Sequence, residues 1–332
     1  HMYLCNNIIY LCIVIIYIYI KLYKVMIIIY CFKDYYKYFE DYVNSLLAHI
    51  PNKKKIVKYT CPDKLLAHFK KKFASKIIQK YLTKDKHIFM QGIPLNVFNW
   101  FDVTNFHFLN RSDIYVINTE QISRASYTIS YKKYILSKEN WFFNINKYKI
   151  SVIDYSLENI ECYYRDNLLS NHISVYYIPY QINNSEIFNY DKIKDVAMVS
   201  NNSPRRWSIY HKMRSMNMRV DNIMGWLRER DNRLFRYKIL VNIHHKKDFK
   251  IMEQFRINRC IFNNIIVITE DSTYSNKLIL KDYMIICKYE DIIDMVIKVL
   301  KNYEYYYSKL FNDINIEKLD RLLKRDFKKL LL

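Results

Sequence analysis

Apolar runs of strand length alternate with segments of helical spacing along most of this chain. The pattern is sharpest over Lys238–Glu270. Ile239–Ile243 is an apolar run of buried-strand length that ends among the polar residues Asn242, His244 and His245. Asp248 then stands where a helix cap is expected, with Ile251, Phe255 and Ile261 near helical spacing behind it. Asn263–Asn264 breaks that helix, and Ile265–Thr269 is a second β-branched run that closes on Glu270. Strand, helix and strand in so short a stretch predict a βαβ unit whose parallel strands are buried on both faces.

The alternation extends in both directions. It predicts strands at Met26–Phe32, Lys55–Thr60, His87–Met90, Asp113–Asn118, Lys149–Ile153 and Val175–Ile178 in the first half. In the second half it predicts strands at Asp195–Ser200, Met218–Asn222 and Ile285–Cys287. Helices are expected over Lys33–Ile50, Leu65–Leu82, Trp207–Met216 and Glu290–Tyr303. Strands alternating with helices argue for α/β architecture with doubly wound parallel sheets. The polar stretch Gln181–Lys194 lacks periodicity and reads as a linker. The expected organisation is an apolar leader over 1–25, a first domain over 26–181, a linker over 182–194, a second domain over 195–300 and a helical tail over 301–332.

Composition narrows the chemistry. The 332 residues include only two glycines, Gly92 and Gly225, so no P-loop, GxGxxG fingerprint or GxSxG elbow can be written. A bound phosphate must then be held by side chains and a helix N-terminus. The formal charge of +21 points to an anionic partner, yet the lysines are spread along the chain instead of forming one stripe. Seven scattered cysteines without a CxxC pair support neither a zinc site nor a disulfide framework, which fits a reducing, cytoplasmic setting. The leader run Ile8–Ile20 is short for a spanning helix and is followed by Lys21 and Lys24. A poorly packed leader is the expectation, with membrane contact through this segment as the other reading.

Ligands of open α/β sheets bind outside the carboxyl ends of the strands. Two adjacent predicted strand ends carry polar groups there, Asn242–His245 and Glu270–Ser272, with Glu253 on the helix between them. The loop Ser200–Arg206 adds a second feature. Ser203 or Asn202 can cap the following helix, Pro204 suits its first position, and Arg205 and Arg206 supply charge, which together make a glycine-free anion site. An ordinary capped helix with solvated arginines is the plainer alternative. Gly225–Asp231 (GWLRERD) reads as a self-neutralising surface turn, and Glu253 with Arg256 as a local ion pair. Glu120 and Asp154 are carboxylates at predicted strand ends in the first half.

The segments SNNSPRR, GWLRERD, KILVNIHH, MEQFRINRC and VITE between Val196 and Glu270 resemble the nucleotide-binding half of GT-B glycosyltransferases, in the divergent group found in bacteria and large DNA viruses. INTEQ (Ile117–Gln121), IDYSLEN (Ile153–Asn159) and YYIPY (Tyr176–Tyr180) are weaker echoes in the first half. The resemblance spans roughly residues 26–300. It implies two Rossmann-like domains facing across a cleft and a nucleotide sugar, UDP- or GDP-linked, held mainly by the second. By the same resemblance Glu253 falls where the ribose hydroxyls are bound, and His245 falls where related retaining families carry another glutamate. Asn242, His244, Arg256 and Glu270 complete the expected donor site. GT-B enzymes generally need no metal, and no Asp-x-Asp motif is present to hold one. Arg205, Arg206 and a histidine would stabilise the leaving diphosphate, and Glu120 or Asp154 would act as base toward a glycan or protein acceptor. His107 and His172 are further base candidates. A catalytically silent scaffold of the same fold and a nucleic-acid-binding protein are the alternative readings.

Overall fold

The computed structural model describes residues 27–32, 39–50, 54–59, 86–90, 114–119, 121–122, 128–131, 134–199, 203–225, 227–249 and 251–325. Two parallel sheets dominate it. The first contains β1 (Ile27–Phe32), β2 (Lys54–Tyr59), β3 (Lys86–Met90), β4 (Ile114–Asn118), β7 (Ser151–Asp154) and β8 (Val175–Tyr177), in the order β2-β1-β3-β4-β7-β8. The second contains β9 (Lys194–Met198), β10 (Val220–Asn222), β11 (Tyr237–Asn242), β12 (Ile266–Glu270) and β13 (Ile285–Cys287), in the order β10-β9-β11-β12-β13. All pairings within both sheets are parallel. A short antiparallel hairpin, β5 (Thr128–Tyr131) with β6 (Tyr134–Ser137), stands apart.

The central strands show why the apolar runs were legible. Every residue of β4 is buried, as are Ile239–Asn242 of β11 and Ile266–Thr269 of β12. A strand covered by helices on both faces has no solvent side to mark by alternation. The helices among the described residues are α1 (Glu40–Ala48), α2 (Lys138–Lys147), α3 (Leu157–Arg165), α4 (Pro204–Ser215), α5 (Leu227–Leu234), α6 (Gln254–Phe262), α7 (Ile292–Lys301), α8 (Tyr303–Phe311) and α9 (Ile316–Leu323).

Four of these helices end without glycine. After α2, α3, α4 and α6 the chain turns through Lys149, Asn167, Asn217 and Asn264, each with φ near +50°. The next residue then donates back to the carbonyl five positions earlier: Ile150 to Ile145, Leu168 to Tyr163, Met218 to Met213, and Ile265 to Cys260. These are Schellman endings, in which glycine is the usual left-handed residue and asparagine the next best.

The two sheets meet through an aromatic joint. Phe255 of α6 inserts between Tyr42 of α1, stacked at 4.6 Å, and Tyr155, at 4.3 Å. The Tyr42 hydroxyl donates to the Ile178 carbonyl at 2.7 Å. The chain also returns from the second sheet to the first, because α9 brings the Leu323 carbonyl to the Gln181 amide at 2.9 Å.

Several sequence expectations change. The helix expected from Asp248 begins at Gln254, with Glu253 at its N-cap and no side-chain cap bond. Asp248 lies in the preceding loop, and its carbonyl accepts from Gln121 of the first half at 3.0 Å. GWLRERD is no surface turn: α5 starts at Leu227, and Arg230 and Asp231 are buried. The helix expected over Glu290–Tyr303 is α7, which spans Ile292–Lys301, and Asn302 separates it from α8. The hairpin β5–β6, α2 and α3 were not foreseen. The leader, the helix expected over Leu65–Leu82, Glu120, His107 and Asn202 lie outside the described residues.

Candidate functional site

The carboxyl ends of β11 and β12 converge on a polar cluster organised by Asn242. Fully buried, Asn242 donates to the Glu253 carboxylate at 2.9 Å and to Thr269 Oγ1 at 3.0 Å, and accepts from Arg256 at 2.7 Å. One strand-end amide thus fixes an acid and a base from the start of α6. The ring of His244 faces Glu253 at 3.3 Å through Nδ1, while Nε2 meets the Asp271 carbonyl at 3.2 Å and Ser272 Oγ at 3.1 Å. Acceptors at both nitrogens favour the charged ring. Burial opposes that charge, but Glu253 and Glu270 outweigh it and raise His244 above the ordinary histidine value. Burial likewise pushes against ionised Glu253, yet His244, Arg256 and the Asn242 bond hold it well below the usual carboxylate range.

The two arginines at the start of α4 do different things. Ser203 caps this helix by accepting from the Arg206 N–H, with Pro204 in the first turn. Arg205 turns to Glu270 in a forked pair of 2.9 and 2.7 Å, lies 4.2 Å over the Tyr289 ring, and accepts at its carbonyl from the Tyr289 hydroxyl. Glu270 also accepts from the His244 N–H at 3.1 Å. Arg205 and Glu270 therefore neutralise each other beside the site. Arg206 instead donates from Nε to the Ile243 carbonyl at 2.8 Å and approaches Glu253 at 3.5 Å.

A cavity of 280 Å³ opens between the sheets, and Arg206, Glu253 and Arg256 form its second-domain wall. Tyr42, Thr119 and Tyr155 face them from the first. Burial and the neighbouring Arg256 lower Arg206 to about 10, which still leaves it charged at neutral pH, and burial lowers Arg256 as well. Two guanidiniums against one carboxylate leave this stretch of the wall net positive. The start of α4 adds the positive end of its helix dipole. Such a wall is suited to a polyanion.

At the inner end of the cavity lies a second ionic cluster. Asp41 of α1, Glu186 of the linker, Arg230 and Asp231 of α5 and Arg259 of α6 pair over 2.5–3.2 Å. Tyr180 donates to Glu186 at 2.6 Å. Three carboxylates face two guanidiniums. Burial, then mutual repulsion, pushes Asp231 up to about 9, and burial also raises Asp41 and Glu186. None of its members was singled out from the sequence except within GWLRERD; the spacing Arg256-x-x-Arg259, which puts two arginines on one helix face, was the available signal.

Asp154, expected as a base toward the acceptor, is enclosed instead of facing the cavity. It is fully buried, and its carboxylate accepts from Asn118 at 2.7 Å, Tyr163 at 2.6 Å, the Ser156 N–H at 2.8 Å and Asn159 at 3.1 Å. Burial pushes it up to about 7 against those four donors. Its work is to join the ends of β4 and β7 to the start of α3. His245 sets its ring edge-on to Phe249 at 5.9 Å and is not among the residues of the cavity wall. His244, one position earlier, is the histidine that reaches Glu253. His172 is exposed in the turn before β8.

No family model matches the chain. Among curated relatives, Acanthamoeba polyphaga mimivirus protein L140 is 32% identical over 224 residues, 63% of this chain and 67% of L140. Mimivirus protein L138 is 28% identical over 283 residues, 82% of this chain, and the chain spans only 28% of its length. Similar solved structures include Anabaena HepE in complex with UDP and glucose, with a TM-score of 0.54, 9% identity and coverage of 91% of this chain and 95% of that one. Sucrose-phosphate synthase from Thermosynechococcus elongatus gives a TM-score of 0.56, 10% identity and coverage of 92% and 99%.

Proposed function

The chain belongs to one family with mimivirus protein L140 and has the fold of GT-B glycosyltransferases, and from that premise we propose that it transfers a sugar from a nucleotide-sugar donor to an acceptor. The observation that carries this reading is the convergence of Arg206 and Arg256 on Glu253 at the wall of the intersheet cavity. The similar HepE structure holds UDP and glucose, the kind of ligand such a wall suits.

In this reading the diphosphate lies against Arg206, Arg256 and the N-terminus of α4. Negative charge grows on the leaving diphosphate in the transition state, and fixed guanidiniums in a water-poor cavity stabilise it without reorganising. Glu253, held ionised by His244 and Asn242, accepts from the ribose hydroxyls. Arg205 and Glu270 position the His244 backbone and the first turn of α4 without touching the donor. The reaction is metal-independent in this assignment, and Glu120, which follows the cavity residue Thr119 in sequence, is its base toward the acceptor.

Calorimetric titration with UDP, GDP and UDP-glucose tests the binding step, and donor hydrolysis or transfer to a glycan panel tests the chemistry. Affinity for a nucleoside diphosphate with turnover is expected. Binding without any turnover would leave a silent scaffold, and affinity for oligonucleotides in place of nucleotides would overturn the reading.

A further inference from the structure

A larger groove, of 630 Å³, lies toward the amino ends of the second sheet's strands, away from the cavity at their carboxyl ends. Lys238 lines it near the start of β11, whereas the cleft forms at Asn242 near that strand's end, roughly 13 Å further along at the usual rise per residue. Its walls come from the two segments that connect the halves of the molecule. One is the linker, which contributes Phe188, Tyr190 and Lys192; the other is the returning chain, which contributes Tyr303, Tyr307 and Ile316.

The groove has a specific chemistry. Phe188 stacks on Tyr190 at 5.5 Å, and Tyr303 leans on Tyr307 at 5.7 Å, so each wall presents an aromatic pair. Lys238 lies 5.4 Å over the Tyr303 ring and 3.6 Å from Asp195, which a bound anion would replace, and Lys192 is anchored to the carbonyls of Phe235 at 2.8 Å and Tyr190 at 3.2 Å; Asp191 and Glu304 also line the groove. An ammonium has three protons, so Lys192 keeps one donor beyond these two bonds. The Tyr303 hydroxyl is buried and has no hydrogen-bond partner among the described residues. A buried hydroxyl without a partner is costly and uncommon.

We propose that this groove is a second binding site, for a small organic anion that carries a phosphate or carboxylate on a flat ring. The anionic group accepts from the Tyr303 hydroxyl and pairs with Lys192 and Lys238, while the ring lies between the aromatic walls. Because both connecting segments contribute to the groove, its occupant bridges them and restrains the angle between the two sheets.

Pyridoxal 5′-phosphate is a suitable probe: it is a planar ring with one phosphate and an aldehyde. Its carbonyl condenses with a lysine amine with loss of water, and hydride from borohydride reduces the C=N bond to a stable secondary amine. Burial lowers Lys192 to about 8, which leaves more of its free amine available than an exposed lysine offers. Peptide mapping at substoichiometric probe should find Lys192 or Lys238 labelled before other lysines, without protection by excess UDP. Tyr303→Phe should lower that labelling about tenfold while the ligand-free protein melts no earlier, since only an unpartnered hydroxyl is removed. Protection by phenyl phosphate alone would assign the site to phosphates, and protection by benzoate alone to carboxylates. Labelling spread evenly over surface lysines, labelling unchanged in Tyr303→Phe, a clear loss of melting temperature in that variant, or protection by neither competitor would each overturn the proposal.

Discussion

Arg230 and Asp41 are 189 residues apart in sequence and 2.7 Å apart in the structure. They join α5 of the second half to α1 of the first, and Arg259 reaches the same carboxylate at 3.1 Å. This pairing fixes how the two walls of the cavity face one another.

Arg259→Met should be among the most damaging substitutions in the molecule. It leaves Asp41, Glu186 and Asp231 with one guanidinium among three carboxylates. Removing one partner of a buried pair costs about 3–5 kcal/mol. Urea unfolding should show a lower midpoint with an unchanged slope. A midpoint within error of the parent would mean that the cluster is solvated.

Arg206→Met and Arg205→Met should separate by ligand. Loss of a charge-assisted bond is worth about 1.5–3 kcal/mol, so Arg206→Met should weaken UDP binding at least tenfold and uridine binding much less. Arg205→Met should act on stability first, by stranding Glu270. Calorimetry with UDP and uridine on both variants checks this. Equal losses for the two ligands would remove the phosphate from Arg206.

Glu253→Gln should impair the site without unfolding the chain. The amide keeps the bond from Asn242 but gives up the charge that raises His244. The His244 pKa, followed by NMR, should therefore fall, and affinity for a ribonucleotide should fall more than for its 2′,3′-dideoxy analogue. An unchanged His244 titration would show that the two side chains do not couple.

The pH dependence of stability should carry the mark of Asp154. Its carboxyl is raised from 3.8 in the unfolded chain to about 7 in the folded one. A raised carboxyl contributes stability that is fully present below about pH 4 and is lost as pH rises through 7. Against Asp154→Asn, which cannot titrate, the parent should lose stability between pH 4 and 7. Guanidinium unfolding at stepped pH measures the difference; parallel curves for the two proteins would refute it.

Lys149→Gly should stabilise the chain. Lys149 is an exposed residue held at φ +50°, and a left-handed conformation costs an L-residue about 1–2 kcal/mol relative to glycine. A rise in melting temperature is expected, larger than for Asn167→Gly. A fall would place a specific contact on the Lys149 side chain.

How much of this was legible in the sequence follows from the range of each interaction. The βαβ unit over Lys238–Glu270 could be read because two β-branched runs and a helical stripe are local signals. The Ser203 cap and Pro204 could be read for the same reason. The start of α6 could not, because the loop before it is drawn out to Gln121, and nothing near Asp248 announces that contact. Charge density misled twice. GWLRERD looks like solvent-facing sequence until Asp41 and Arg259 are brought to it by the tertiary fold. Asp154 stands at a strand end as expected, but its four donors come from β4, from α3 and from the turn between β7 and α3, so its enclosure is invisible in the sequence. His245 and His244 differ by one position, and only the exit angle of β11 decides which ring meets Glu253.

Four helices of this chain stop on lysine or asparagine where glycine is the usual residue. The genetic code writes asparagine and lysine with codons that begin with two adenines, and glycine with codons that begin with two guanines. A gene poor in guanine can therefore still encode sharp helix endings, at a modest cost in backbone strain at each. The left-handed stops after α2, α3, α4 and α6 let a chain with two glycines end four helices sharply.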